Sequence, residues 1–285
     1  MNGQHPITMT YCAIFAMLVT GLPGAMQADA QGPAPAPSAV APPSFEVATI
    51  KPSRPDDQSH NWNSRGDSVS IENYTLRRLI RTAYGLKSDS QVLGGPEWMG
   101  KQAFDIEAKF GEAEAARMQK LSGRERFQEL RLAVQSLLAE RFLLRISQET
   151  RSIPVYALVV AKSGAKLTPA APQLDENGKP KTDRNHSMHD SDGHMTAKAV
   201  PMSDFADWFV YQPECDRVVL DRTGLTGEFD FKLDWAPDWG EGIPPDAKYP
   251  GLFTALREQL GLELKPDKAP VDVVVVQSAA EPSGN

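Results

Sequence analysis

Cysteine is almost missing from this chain. Among 285 residues only Cys12 and Cys215 carry a thiol, and Cys12 lies inside the apolar N-terminal run "YCAIFAMLVTGLPGAM". If that run is removed, Cys215 stands alone, which excludes an intramolecular disulfide and a cysteine-rich metal site. Cys215 follows "YQPE" with no neighbouring His or Lys to lower its pKa, so a buried structural thiol is expected rather than a nucleophile. A basic excess is also lacking: 30 Lys and Arg stand against 37 Asp and Glu, for a net charge of −7. A general nucleic-acid binder needs a basic face to displace counterions, so nucleic acid is not an expected partner. Nor is there a long apolar run. The N-terminal one is shorter and more interrupted than the about 20 residues of a membrane span, so no transmembrane segment is expected in the mature chain. The motifs of chemistry are missing as well. There is no GxSxG elbow, and neither "GLPG" nor "LGG" brings a P-loop lysine or a dinucleotide fingerprint. No catalytic residue and no cofactor are assigned.

What the N-terminus does contain points to export. The apolar run is followed by "QADA", and Ala28-Asp29-Ala30 offers a small-x-small cleavage site. The leading "MNGQHPITMT" has no Lys or Arg, only His5, which leaves an uncleaved anchor or a misassigned start as alternatives. Residues 1–30 are read as a signal peptide and the destination as periplasmic or extracellular. The Pro/Ala-rich stretch 31–44 favours extended polyproline II and serves as a tether.

The chain then repeats itself. When "VSIENYTLRRLIRTAYG" is laid against "MTAKAVPMSDFADWFVY", Leu76, Leu79, Ile80 and Ala83 fall on Met202, Phe205, Ala206 and Phe209. Both sets have the i, i+3, i+4, i+7 spacing of one buried helix face. "QVLGGPEWMGKQAFDIEAKF" aligns with "RVVLDRTGLTGEFDFKLDW" with one residue inserted in the first, and Leu138, Glu140 and Leu144 match Leu256, Glu258 and Leu262. "IPVYALVVAK" matches "APVDVVVVQS". The expected fold is therefore α+β: two copies of a strand-helix-strand-strand-helix-strand-strand unit, mixed sheets with helices packed on them, related by approximate two-fold symmetry. The copies span 45–162 and 194–278, with a polar linker at 163–193 and a disordered tail at 279–285.

The repeat bears on "RTGLTGEFDFKLDW", where Arg222, Glu228, Asp230 and Asp234 crowd around two glycines. Asp230 has a partner, Asp105, in "AFDIEAK" of the first copy, where no arginine-glycine framing exists. A residue common to both copies is explained by the unit's fold. Alternation with Phe229, Phe231 and Leu233 puts the carboxylates on the solvated side of a strand, and Gly224 and Gly227 supply a turn.

The ordered series "SFEVATIKPS", "YTLRRLIRTAYG", "GGPEWMGKQAFDIEAK", "LLAERFLLRISQETRSIPVYALVVAK", "VVLDRTGLTGEFDFKLDW" and "LREQLGLELKPDKAPVDVVVV" closely resembles a large family of exported proteins of unknown function, expanded in soil Acidobacteria. Related domains stand behind membrane-embedded metallopeptidase sensors of the beta-lactam-receptor type. The resemblance implies extracytoplasmic binding or sensing. This chain has no HExxH and no multi-span region, so the peptidase is absent. "YTLRRLIRTAYGL" is also similar, more weakly, to the N-terminal modules of secretins and TonB-dependent transducers.

Two constellations remain. "DRNHSMHDSDGHM" gathers His186, His189 and His194 with Asp183, Asp190 and Asp192, a set that zinc would accept; a solvated loop is the competing reading. Among five tryptophans, Trp98 falls in the turn of the first copy and Trp235 and Trp239 just past the matching strand of the second. Exposed turn aromatics such as Trp98 and Trp235 could form a binding platform for a sugar or peptide, packing being the alternative. The sequence thus points to a non-catalytic envelope binding or sensing module whose partner is an unknown envelope ligand or protein. The alternatives are a hydrolase with its site in the cleft between the copies, and a module that binds peptides at a sheet edge.

Overall fold

The computed structural model describes residues 42–54, 60–172, 176–177, 179, 186–238, 240 and 242–282. The signal peptide, the tether as far as Ala41, Asp183 and the last three residues lie outside them. Two antiparallel sheets flank a central mixed one. The first holds β1 (Val47–Pro52), β2 (Asn61–Arg65), β3 (Ser68–Thr75) and β5 (Ala103–Lys109), in the order β1-β5-β3-β2. The second holds β7 (Thr168–Pro169), β8 (Ser187–Ser191), β9 (His194–Pro201) and β11 (Glu228–Asp234), in the order β7-β11-β9-β8. The central sheet runs β10 (Val219–Asp221), β6 (Arg145–Val160), β12 (Leu262–Ser278), β4 (Val92–Gly94). The helices are α1 (Leu76–Tyr84), α2 (Glu112–Gln119), α3 (Gly123–Arg141), α4 (Met202–Trp208) and α5 (Leu252–Ala255), which runs on as a π-helix, Leu256–Leu260. The architecture is α+β.

Helix α1 follows from its spacing. The Thr75 side chain accepts from the Arg78 amide and caps it, while Leu76, Leu79, Ile80 and Ala83 are fully buried. Burial of a leucine-sized side chain contributes about 1.5–3 kcal/mol, so this face holds the helix down more firmly than propensity could. The aligned Met202, Phe205, Ala206 and Phe209 are buried in the same way in the second half.

Three features differ from the sequence expectation. There are three sheets, and only the central one is mixed. The last two strands of each expected unit are one long strand, β6 or β12, which pair antiparallel along their whole length. Pro154 and Pro270 do not interrupt these strands, because both occupy non-hydrogen-bonded positions. Tyr156 N–H points outward to Val218 C=O at 2.8 Å, so the nitrogen of Pro154, two residues earlier, faces an edge that β10 does not reach; Pro270, opposite Ser152, faces the other edge, where β4 pairs only with Val274–Val276. The stretch 163–193 contributes β7 and β8 rather than only a connection. Strand β8 turns into β9 through Asp192 and Gly193, with φ of 49° and 80°, the left-handed pair of a tight hairpin. Ala279 also packs on the first core and Ala280 N–H donates to Phe142 C=O at 2.7 Å, so the folded chain continues past Ser278.

The long strands interlock the halves. The first core, built on α1 and α3, includes Val274 and Val276 from the end of β12. The second, built on α4 and α5, includes Leu158 from the end of β6. Ile153, Val155, Val218, Ala269 and Val273 form a small cluster between them. Each half's core is completed by strand from the other.

Candidate functional site: a cleft between the halves

The stretch that looked catalytic is structural. Strand β3 carries an extra residue opposite Asp105 and β9 an extra residue opposite Asp230, and Asn73 and Ala199 take φ of 57° and 52° in these bulges. Asp105 Oδ1 accepts from the Asn73 amide at 2.9 Å and from Ser53 Oγ at 2.6 Å. Asp230 Oδ1 accepts from the Ala199 amide at 2.9 Å, and its Oδ2 from Lys198 Nζ at 2.8 Å. A bulge strands a backbone donor, and the carboxylate across the ladder satisfies it. Lys198 and the Ala199 amide together hold the Asp230 carboxyl below its ordinary range. Gly224 and Gly227, at φ of 68° and 94°, form the turn before β11.

The metal candidates are not brought together. His194 Nδ1 lies 2.8 Å from Asp234, and His186 Nε2 lies 3.4 Å from Asp204. His189 sits on β8 opposite Thr196. Asp190 accepts from Trp208 Nε1 at 2.6 Å and Gln212 Nε2 at 3.2 Å. Among the described residues no three His, Cys, Asp or Glu side chains could hold an ion together. The hairpin explains this, because a strand ladder spreads its side chains over two faces. The tryptophan pair also needs correcting. Trp235 is 3 % exposed, edge-on to Trp208 in the second core, and offers no surface to a ligand. Trp98 is half-buried against Phe104. Trp239 lies outside the described residues. Cys215 is free, its thiol pushed up to about 12 by burial, with Glu214 and Asp216 adding to the shift.

The cleft itself is built around the chain leaving α1. The helix ends at Gly85, whose φ of 67° lets Leu86 N–H reach back to Arg81 C=O at 2.9 Å. From α3, Arg131 Nε and Gln135 Nε2 both donate to Ala83 C=O, at 3.1 and 2.8 Å. A Cβ on Gly85 would lie 2.2 Å from the Arg131 guanidinium. The chain then crosses to the other half. Lys87 pairs with Asp207 of α4, Ser88 Oγ donates to Asp216 C=O at 3.2 Å, and Gln91 Nε2 donates to Asp272 C=O at 2.8 Å. Ser88 and Gln91 form a capping box around the 3-10 turn Asp89–Gln91, and both are buried.

Gly85, Leu86 and Lys87 form a wall shared by two open cavities. One, of about 650 Å³, is lined by Tyr84, Gln91, Gln148, Glu149, Thr150, Val218 and Leu220, with Val271 to Val274 of β12. Arg151, then Ser147, hold Glu149 below its ordinary range, and burial raises Tyr84. The other, of about 600 Å³, is lined by Trp62, Tyr74, Arg78, Arg81, Thr82, Phe127 and Arg131 of the first half and by Asp207, Val210 and Tyr211 of the second. Both volumes lie in the range of small-molecule sites.

None of these cleft residues stood out in the sequence. Arg78 and Arg81 lie off the apolar stripe of α1, where charge reads as solvated surface. A signal was available in the repeat: where the first copy has Arg78 and Arg81, the second has Asp204 and Asp207. A difference of charge between aligned segments with similar buried faces marks a surface that burial alone does not dictate.

Fold and cleft define an α+β protein of two interlocked halves with ligand-sized cavities along their junction. The chain belongs to the family described as "Protein of unknown function (DUF3738)", which it matches over residues 77–279. No curated protein and no solved structure matches it.

Proposed function

We propose that this protein is an exported, non-catalytic binding or sensing module of the cell envelope, with its ligand held in the cleft between the halves. The observation that carries the reading is the pair of cavities of about 650 and 600 Å³, each lined from both halves and sharing Gly85, Leu86 and Lys87. Binding there would bear on both halves at once, which is what a sensor needs. The two cavity groups with shifted titration, Glu149 and Tyr84, move away from neutrality, whereas acid–base catalysis draws on groups tuned towards it. Export rests on the apolar run before Ala28-Asp29-Ala30 and on the Pro/Ala tether. No helix among the described residues is long and apolar enough to cross a membrane.

The test is native mass spectrometry of the protein recovered from the envelope. A mature chain beginning at Gln31 and carrying a co-purified molecule is expected. That molecule should be lost when Val210→Trp or Val271→Trp fills a cavity. Recovery without any bound molecule, or turnover of an ester, peptide or glycoside abolished by one polar substitution, would refute the reading.

A further inference from the structure

Resting on that binding reading, we propose that the cavity lined by Arg78 and Arg131 takes an amphipathic anion: a carboxylate or phosphate group carried on an aromatic body. The charge argument comes first. Four cationic side chains, Arg78, Arg81, Lys87 and Arg131, line this cavity against a single carboxylate, Asp207. The whole protein has a net charge of −7, so the local excess runs against the average. Two of the cations are engaged, Lys87 with Asp207 and Arg81 with Asp89 at 3.4 Å. Arg78 and Arg131 enter no ion pair among the described residues.

Each free guanidinium is held in place rather than left to wander. Arg131 is anchored by its Nε on Ala83 C=O at 3.1 Å and lies against Gly85. Arg78 stacks over the Tyr74 ring, with its guanidinium carbon 4.8 Å from the centroid, and the Trp62 ring lies 5.8 Å from Tyr74 on the same wall. Arg78 Nε and Trp62 Nε1 are both buried without an acceptor in the protein. Buried donors are normally satisfied, so two orphans on one wall of a cationic cavity mark where an acceptor belongs. The fork of an arginine suits the paired oxygens of a carboxylate or phosphate.

The apolar part of the ligand is argued from the mouth. Phe127 on α3 and Tyr211 beyond α4 are 47 % and 79 % exposed, large aromatics left in solvent on the lining of the cavity, one from each half. With the half-buried Trp62 they offer ring faces for an aromatic body, while the cations take its charge. An inorganic anion would use only half of this surface.

Calorimetry on the full chain, with 2-naphthoate, 2-naphthyl phosphate, neutral 2-naphthol and inorganic phosphate as probes, tests the assignment. At least one aromatic anion should bind saturably, about tenfold or more tighter than 2-naphthol, and weaken as salt screens the charge. The tighter of the two identifies the anionic group. Arg78→Gln and Arg131→Gln should each cost about tenfold, the usual scale for a lost hydrogen bond to a charged group. Arg131→Lys, which keeps the charge, guards against a folding defect, and Arg117→Gln on the surface should change nothing. Equal binding of 2-naphthol, unaffected by Arg78→Gln, would overturn the anion assignment and leave a cleft that binds by shape. Failure of both anions would also overturn it. The wider reading would still stand if envelope-recovered protein carries a molecule that Val210→Trp removes, and would fall with it if not.

Discussion

Asp230 and Asp105 perform the same task in the two halves, holding the backbone donor that a bulge leaves over. The size of each contribution can be separated. The Ala199 amide is buried, so removing its acceptor costs about 1–3 kcal/mol, whereas the Lys198 ammonium is 62 % exposed and its pairing is worth little. Asp230→Ala should therefore lower the unfolding free energy by about 1–2 kcal/mol in urea, and Lys198→Ala by under about 0.5 kcal/mol. Equal effects would contradict the amide argument. The pH dependence has a definite sign. Because the folded carboxyl titrates below its ordinary 3.8, its contribution is complete above that value and is lost as pH falls through the folded one. The gap between wild type and Asp230→Ala should close on acidification below about pH 4. Cys215 differs in that burial keeps its thiol protonated up to about 12. It should resist a thiol reagent at pH 8 for as long as the denatured chain takes to react fully.

The element that organises the cleft is α1 together with the turn that leaves it. Its buried face ties it to the first core, Arg77 donates to Val92 C=O of β4, and Lys87 reaches α4. Gly85 is required twice, for its positive φ and for the Arg131 guanidinium packed where a side chain would begin. The left-handed conformation alone costs a residue with a Cβ about 1–2 kcal/mol. Gly85→Ala should lower stability by about that amount in denaturant titrations, because a flexible arginine can move aside more cheaply than backbone can. The displaced Arg131 should at the same time weaken binding of the aromatic anion. A variant of unchanged stability and unchanged affinity would show that the turn does not set the cavity.

At the scale of the molecule, the halves share one central sheet and complete each other's cores. Residues 31–162 alone would lack Val274 and Val276, and residues 163–282 alone would lack Leu158. Neither fragment should unfold cooperatively, and the two expressed together should recover a cooperative transition. A folded single half, seen by dispersed amide resonances, would contradict the interlocking. The elements run in matched order, β2-β3-α1-β4-β5 against β8-β9-α4-β10-β11. If the chain is a duplicated unit, the two halves should superpose with Leu76 over Met202 and Leu138 over Leu256.

Much of the fold was legible because it is written in local periodicity. The apolar spacing of Leu76, Leu79, Ile80 and Ala83 requires a buried helix face, and the alternation in "EFDFKL" requires a strand with one dry side. Matching of the two segments assigned Asp230 and Asp105 to a shared place in the fold, and each accepts from the backbone amide of a bulge. Tertiary structure decided everything that depends on which segments meet. It made β6 and β12 single long strands by placing their prolines where no partner strand needs the missing N–H. It buried Trp235, which a matched turn position suggested as exposed, and spread His186, His189 and His194 along a hairpin. It brought Arg78 of α1, Arg131 of α3 and Tyr211 of the other half to one cavity. No spacing encodes that meeting, because it arises only when the long central strands exchange their ends and draw the two halves together.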